Sequence, residues 1–171
     1  MAVMEFEKAR PYYQKALEIF ERVFGPGHPL YANGLNNLAS LNRKTGNFTE
    51  AEELYLKTLE VDEQTVGKNH PAYATSLNNL AILYVATRKY DKAEPLYLES
   101  IRIKESTLGN NHPAYAKSVN NLALLYMTKE EFFKAEPLFL EAISNQLNQI
   151  STIFPALTEK EREAFYNTLR S

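Results

Sequence analysis

Residues 70–98 read HPAYATSLNNLAILYVATRKYDKAEPLYL, and the same pattern returns 42 positions earlier and 42 positions later in the chain. Each copy contains a His-Pro pair, then a block ending in Asn-Asn-Leu-Ala, then a block of the form AExLYL or AEPLFL. The His-Pro pairs begin at His28, His70 and His112. A fixed period of this length is typical of repeat proteins, in which each copy forms one structural unit.

Each unit is predicted to form two helices. Pro71 suits the first position of a helix, where its missing N–H costs little, and apolar residues follow it at helical spacing. Asp91 and Glu94 have the spacing of a capping box for the second helix, and Gly109 is a typical helix end. Because no segment shows the alternation of a strand, we expect an all-α chain. The predicted helices cover residues 6–24, 29–45, 49–66, 71–87, 91–108, 113–129, 133–150 and 158–170.

Helical hairpins of this size bury their apolar faces by stacking on neighbouring hairpins. The expected fold is a solenoid of antiparallel helix hairpins, with about three and a half repeats and a C-terminal capping helix. The array is predicted to occupy residues 1–150, with a half repeat at 5–27 and repeats at 28–69, 70–111 and 112–150. Residues 151–171 are predicted to form the capping helix or a linker.

Two positions of the repeat vary in a way that affects packing. Asn42 stands where Tyr84 and Tyr126 stand in the later units, which predicts a less apolar core in the first full repeat. The turn between the two helices has a glycine at position 46, whereas Arg88 and Glu130 replace it in the later repeats.

The composition excludes several classes of function. The 171 residues include 19 Lys and Arg, 21 Asp and Glu, three His and no Cys, for a net charge of −2. This balance argues against a nucleic-acid binder and a polybasic membrane anchor, and no disulfide or thiol nucleophile can form. No apolar run approaches the roughly 20 residues that span a bilayer, and the N-terminus lacks a signal-peptide core. We expect a cytoplasmic protein that needs no cofactor, metal, nucleic acid or membrane.

The small-aromatic-small pattern of the repeat resembles a tetratricopeptide repeat, with Leu-Ala in the first helix and Phe48, Tyr90 or Phe132 before Ala in the second. The 42-residue unit with LNNLA, AExLYL, LG and HP resembles the kinesin-light-chain type over roughly residues 5–145. This resemblance implies a right-handed superhelix that binds a peptide or a partner protein in a concave groove. Residues 153–170 resemble the segment that follows such repeats in bacterial proteins ending in a caspase-like CHAT domain.

In the resembled family the first helices line the concave surface, and the Asn before Leu-Ala bonds the backbone of a bound peptide. The residues that this implies here are Asn37, Asn79 and Asn121. An amide suits a peptide group because it offers both a donor and an acceptor. The alternative is that these amides bond neighbouring helices or face water, and inter-helix bonding is the role we expect for Asn36, Asn78 and Asn120.

The rest of the predicted groove is not uniform in chemistry. Its other members are Asn33, Arg43, Lys44, Thr75, Ile82, Val85, Lys117, Leu124 and Met127. It is basic near Arg43 and Lys44 and apolar between Ile82 and Met127. We hypothesise a peptide with an acidic end and an apolar or aromatic anchor, because exposed apolar patches usually mark contacts. The alternative is that the C-terminal tail or another copy of the chain covers the patch.

No catalytic motif is present in the sequence, which lacks a Gly-rich phosphate loop, HExxH and GxSxG. The three His lie in separate loops, too far apart to share a metal, and are predicted to start helices. Capping is predicted for Glu52, Glu94 and Glu136. We therefore predict a non-enzymatic scaffold for protein–protein interaction. Two alternatives stay open: a sensor region of a larger bacterial enzyme such as a CHAT protease, or a self-assembly module stacking through its incomplete N-terminal edge.

Overall fold

The computed structural model describes the backbone of residues 2–153, and within that range the chain is entirely helical apart from short connections. The helices are α1 (Ala2–Phe24), α2 (Pro29–Lys44), α3 (Phe48–Thr65), α4 (Pro71–Ala86), α5 (Tyr90–Leu108), α6 (Pro113–Thr128) and α7 (Phe132–Ile153). The predicted boundaries of α2 to α6 are confirmed to within one residue. The predicted helix at 158–170 and the segment at 153–170 that resembles CHAT proteins lie outside the described residues, apart from Ile153.

Successive helices pack on one another along the chain, and few contacts reach further. Each helix from α1 to α7 contacts the next one, and the first helices of adjacent repeats also meet, since α4 contacts both α2 and α6. Contacts restricted to neighbouring units are those of a solenoid. The all-α repeat fold expected from the sequence is therefore confirmed.

The start of every first helix is fixed by the His-Pro pair. The histidine is the N-cap, and its Nδ1 accepts a hydrogen bond from the backbone N–H two residues later, at 3.2 Å for His28, 3.1 Å for His70 and 3.1 Å for His112. The proline that follows occupies the first helical turn, where an N–H has no partner in the helix. The predicted helix-start role of the three histidines is confirmed.

The second helices are not capped at their N-termini in the way that the sequence predicted. Helix α5 begins at Tyr90 with Lys89 as its N-cap and no side-chain capping bond. Asp91 is thus already inside the helix, so the predicted capping box of Asp91 and Glu94 is wrong. The turn before α5 instead uses a left-handed backbone at Arg88, with φ of 59°.

Glutamates on the second helices connect one repeat to the next. Glu52 of α3 accepts hydrogen bonds from the Tyr84 hydroxyl at 3.0 Å and the Lys89 ammonium at 2.8 Å. The hydrogen bond from Lys89 lowers the pKa of Glu52, against the effect of burial. Burial and the bond to Glu52 raise the pKa of Tyr84 to about 12. We call this arrangement the glutamate clasp.

A second glutamate clasp repeats the first one 42 residues later. Glu94 of α5 accepts from Tyr126 at 2.9 Å and from Lys129 at 2.8 Å. The predicted capping roles of Glu52 and Glu94 are therefore wrong, because both carboxylates are used between repeats. Glu136, the third in this register, is exposed on α7.

The first repeat interface replaces the glutamate clasp with a different polar contact. Arg10 of α1, in the register of Glu52, donates to Asn42 Oδ1 and, at 3.0 Å, to Thr45 Oγ1. Asn42 is 0% exposed. The less apolar core predicted for the first full repeat is confirmed.

Small and aromatic side chains fill the space between the helices. The alanines of the two repeated blocks are all buried: Ala39, Ala51, Ala81, Ala93, Ala123 and Ala135. Tyr55 and Tyr97 are buried beside them, and Phe139 packs against the same cluster. This core holds the first helices side by side and so determines which of their residues face outward.

Candidate peptide-binding face

The twelve residues predicted to contact a peptide all lie on the first helices α2, α4 and α6. We call this set the first-helix face. Seven members are exposed: Asn33, Asn37, Lys44, Thr75, Lys117, Leu124 and Met127. Five are partly buried: Arg43, Asn79, Ile82, Val85 and Asn121. Because α4 contacts both α2 and α6, the structure brings the twelve onto adjacent helices.

Two of the predicted peptide-binding amides also connect repeats. Asn79 Nδ2 donates to Asn36 Oδ1 at 2.8 Å, and Asn121 Nδ2 donates to Asn78 Oδ1 at 3.0 Å. The inter-helix role expected for Asn36 and Asn78 is thus present in the structure. Each donating amide uses one N–H in this way, which leaves its oxygen and its second N–H for another partner.

Asn37, Asn79 and Asn121 occupy the same position of the three first helices, and we call them, with the amides that they contact, the amide ladder. Asn37 is the exposed one of the three. No first helix precedes α2 in the described part of the chain, so Asn37 has no amide of an earlier repeat beside it. Its side chain is therefore the one at which a peptide contact can be separated from an inter-repeat contact.

The apolar part of the first-helix face is narrower than the sequence indicated. Leu124 is 50% exposed and Met127 is 44% exposed, both on α6. Ile82 and Val85 on α4 instead pack against the main core cluster. The surface available to an apolar anchor is therefore centred on Leu124 and Met127.

The basic part of the face lies in the last turn of α2. Lys44 is exposed, whereas Arg43 is partly buried, and its Nε has no hydrogen-bond partner among the described residues. Burial raises the pKa of Tyr55, and the neighbouring Arg43 guanidinium opposes that change. The two positive charges at this end, Arg43 and Lys44, suit an acidic group.

Sequence reasoning missed two buried ionisable residues at equivalent positions of successive repeats. Asp62 is 5% exposed and accepts a hydrogen bond from Ser76 Oγ at 2.6 Å. Lys104 is 3% exposed and donates to Ser118 Oγ at 2.8 Å. The sequence feature that could have indicated them is a charged residue that directly follows a buried apolar residue on the inner side of a second helix.

Burial dominates the ionisation of both groups. It raises the pKa of Asp62, and the hydrogen bond from Ser76 opposes this only in part. It lowers the pKa of Lys104 to about 8, with a smaller contribution from the positive charge of Lys117. Among the described residues, no ion pair therefore offsets the effect of burial on the pKa of either residue.

The corresponding position of the first interface is apolar and tightly packed. Phe20 stands 42 residues before Asp62, and Gly34 stands 42 residues before Ser76. A Cβ at Gly34 would lie 3.0 Å from Leu17 Cδ1 and 3.2 Å from Phe20 Cδ2. Since few Cβ contacts in proteins are this short, a larger residue would force Leu17 and Phe20 to shift, and glycine allows the close approach of α1 and α2 without that shift.

A cavity of about 180 Å³ opens beside Asp62. It is lined by Ala32, Asn33, Asn36, Thr58, Asp62, Ala72, Thr75 and Ser76. These residues come from α2, α3 and α4, so the cavity lies at the interface between the first and second full repeats. Asn33 and Thr75 belong to the first-helix face, which makes the cavity continuous with that surface.

The described residues contain neither a cluster of metal ligands nor a helix that could span a membrane. No three side chains among the His, Asp and Glu residues described lie close enough together to hold a metal ion. Across residues 2–153, every helix is too short or too polar to cross a membrane.

Stacked helix hairpins with contacts between neighbouring units define an α-helical repeat protein. Residues 1–64, 32–106 and 86–148 match the family model described as Tetratricopeptide repeat. The chain therefore belongs to the tetratricopeptide repeat family, and its 42-residue unit is of the kinesin-light-chain-like type.

Solved structures with the same fold support this assignment. BtubC (BKLC) from P. vanneervenii matches with a TM-score of 0.75 and 25% identity, over 85% of this chain and 58% of BtubC. A Podosopora anserina protein described as a kinesin light chain with nearly identical TPR-like repeats matches with a TM-score of 0.70 and 23% identity, over 87% of this chain and 70% of that one. The chain thus spans less than two thirds of the BtubC chain. No curated protein matches it.

Proposed function

We propose that this protein is a non-enzymatic scaffold that binds an extended peptide or a partner protein on the first-helix face. Tetratricopeptide repeats in general mediate protein–protein interaction. The observation that carries the proposal is the alignment of α2, α4 and α6, which places hydrogen-bonding amides and exposed apolar side chains on one surface.

The amides of the first-helix face support recognition of a peptide backbone. Asn37 is exposed, and Asn79 and Asn121 are held in position by their hydrogen bonds to Asn36 and Asn78. An amide fixed in this way loses little rotamer entropy when it binds a peptide group.

The two ends of the first-helix face support a preferred peptide composition. Leu124 and Met127 offer an adaptable apolar contact, whereas Arg43 and Lys44 offer positive charge. We therefore propose a ligand with an apolar or aromatic residue over α6 and an acidic group near the end of α2.

The test is selection of binding peptides from a random display library against the whole chain, followed by affinity measurement with variants. The double variant Leu124→Ala/Met127→Ala should bind selected peptides at least about tenfold more weakly, since truncated anchors each cost about 1 kcal/mol or more. Leu98→Ala is the matched control, because Leu98 on α5 is equally exposed at 49% and lies off the first-helix face. Equal loss in both variants, or none in either, contradicts the proposal.

A second candidate function is self-association through the ends of the array. Helix α7 exposes Leu140, Ile143 and Leu147, at 62%, 51% and 59%, and α1 exposes Tyr12 at 77% and Val23 at 59%. In the middle of a solenoid, apolar surface of this kind is covered by the adjoining unit. Light scattering over a range of concentrations tests this candidate, and a monomer at every concentration contradicts it.

A further inference from the structure

Four of the polar side chains that line the cavity beside Asp62 present acceptors to its interior: Thr58, Asp62, Thr75 and Ser76. Thr58 and Thr75 each donate their hydroxyl hydrogen to the backbone carbonyl four residues earlier, at 2.8 Å and 2.9 Å. Ser76 donates its hydroxyl hydrogen to Asp62 Oδ2 at 2.6 Å. With these hydrogens already used, the three hydroxyl groups retain only oxygen lone pairs for a further partner.

Asp62 adds a carboxylate that is not fully used. Its Oδ2 is bonded to Ser76, while its Oδ1 meets no hydrogen-bond donor among the described residues. The residue is 5% exposed, and no described lysine or arginine forms an ion pair with it. Leaving a buried carboxylate without a cation costs free energy that a positively charged ligand would recover.

At the next repeat interface an ammonium occupies this register position. There Lys104 stands in the register of Asp62, and its ammonium donates to Ser118 Oγ at 2.8 Å. Ser118 also donates to Asn78 Oδ1 at 3.3 Å. Ser118 and Asn78 are the counterparts of Ser76 and Asn36 in the cavity. The chain therefore places its own ammonium among the same kinds of acceptor.

We propose that the cavity between α2, α3 and α4 binds the ammonium group of a lysine side chain presented by the bound peptide. An ammonium carries three donors and no acceptor, which matches the three hydroxyl oxygens and the carboxylate oxygen of the lining. Asn33 and Asn36 add two amides, each with an oxygen that can accept and an NH2 group that donates. A cavity of about 150 Å³ accommodates benzene, so about 180 Å³ has room for the end of a lysine side chain.

The location of the cavity is consistent with a peptide that lies on the first-helix face. Asn33 and Thr75 belong to both, so a backbone held on that face can direct a side chain towards Asp62. The inference rests on the proposed function for the identity of the ligand. It adds a requirement for a basic residue whose side chain reaches the interface between α2 and α4.

The test uses a probe that contains the lysine side chain and nothing else of a partner. Nα-acetyl-lysine methylamide is titrated to tens of millimolar into the ¹⁵N-labelled whole chain, and the norleucine analogue, which lacks the ammonium, is titrated in parallel. We expect saturable shifts of the backbone amides of Asn33, Thr75 and Ser76 with the lysine probe and none with the norleucine probe.

Two variants assign the binding to the Asp62 carboxylate. Asp62→Asn keeps the size and the acceptor for Ser76 but removes the charge, so the lysine probe should bind at least about tenfold more weakly. Lys104→Met removes the equivalent buried charge at the neighbouring interface and should leave the probe affinity unchanged. Circular dichroism confirms that each variant is folded. Where Asp62→Asn does not fold, the comparison of the two probes on the unmodified chain decides.

Three results overturn the inference: no shifts with the lysine probe, equal shifts with both probes, or unchanged affinity in folded Asp62→Asn. These outcomes are separate from failure of the proposed function. The probe needs no apolar anchor, so Leu124→Ala/Met127→Ala should bind it normally. Unchanged affinity of that double variant for selected peptides contradicts the proposed function and leaves the probe result standing.

Discussion

Asp62 and Lys104 occupy the same position of successive repeats and are both buried against a serine of the following first helix, at 2.6 Å and 2.8 Å. The two interfaces thus share one geometry but carry opposite charges. Each residue gives up hydration without gaining an ion pair, so each is a local cost to stability. The stability cost of Asp62 and that of Lys104 depend on pH in opposite directions.

Replacing Lys104 with Met should stabilise the protein at neutral pH. Burial lowers the pKa of Lys104 to about 8 from 10.5, and at about 1.4 kcal/mol per pKa unit this difference is on the order of 3 kcal/mol. We expect a gain of about 1–3 kcal/mol near pH 7, measured by urea denaturation. Above about pH 8 the folded chain loses the Lys104 proton while the unfolded chain keeps it, so wild-type stability rises towards pH 10.5.

The advantage of Lys104→Met over the wild type should therefore shrink between about pH 8 and pH 10. Lys8→Met is the control, because Lys8 is exposed on α1, away from the interface that contains Lys104. It should change stability little at either pH. An equal gain for Lys104→Met at both pH values would sink the assignment of the cost to the buried ammonium.

Replacing Arg88 with Gly should also stabilise the fold. Arg88 is exposed and has φ of 59°, a left-handed conformation that costs a residue with a Cβ about 1–2 kcal/mol. We expect a gain of about 1 kcal/mol after the greater flexibility of glycine in the unfolded chain is counted. The reciprocal change Gly46→Arg, at φ of 85° with open space around it, should destabilise by a similar amount. Denaturation curves that move in the same direction for both variants would refute the explanation.

Replacing Glu52 with Gln should weaken the first glutamate clasp. The neutral amide keeps an acceptor for Tyr84 but loses the charge that holds Lys89, and we expect a loss of about 0.5–1 kcal/mol. The pKa of Glu52 is lowered from 4.5, so the stability it contributes is present above that value and lost as pH falls through the folded pKa. The difference from wild type should therefore be measurable near pH 7 and decrease as pH falls through the folded pKa of Glu52. Glu53→Gln is the control, since Glu53 is the exposed neighbour and should show no such difference.

Alanine substitutions at Asn37 and Asn79 should separate binding from stability. Asn79→Ala removes the donor to Asn36 and should cost about 1 kcal/mol of unfolding free energy, as well as peptide affinity. Asn37→Ala should leave thermal unfolding unchanged. It should weaken the binding of selected peptides by about tenfold, which corresponds to about 1.4 kcal/mol of binding free energy. Asn37→Ala with full peptide affinity would show that the amide ladder serves only to join the repeats.

The helices could be predicted because their signals are local. His70 and Pro71 fix a helix start within two residues, and the apolar spacing that follows determines the buried side of α4. Part of the first-helix face follows from the same periodicity, because residues opposite a buried stripe tend to point outward, whereas Ile82 and Val85 pack against the core. The side chains of Leu124 and Met127 lie exposed as that reasoning requires.

The remaining features depend on contacts that sequence spacing does not record. Glu94 has the spacing of a capping residue relative to Asp91, yet its partners are Tyr126 and Lys129 in the next repeat. The cavity depends on which small side chains meet across three helices. Asp62 was not predicted because a charge near the apolar stripe of a second helix usually points to solvent.

The repeat interfaces also determine how the array can change in length. Removing residues 70–111 would place Ser118 against Asp62, and Tyr126 with Lys129 against Glu52. Ser118 would then donate to a carboxylate as Ser76 does now, and the glutamate clasp would keep the same kinds of partner. Removing residues 28–69 would instead place Ser76 where Gly34 now lies. A Cβ there would lie 3.0 Å from Leu17 Cδ1 and 3.2 Å from Phe20 Cδ2, so both side chains would have to move to admit it. The middle unit is thus interchangeable in evolution or design, whereas the first unit is an adaptor between α1 and the repeats that follow.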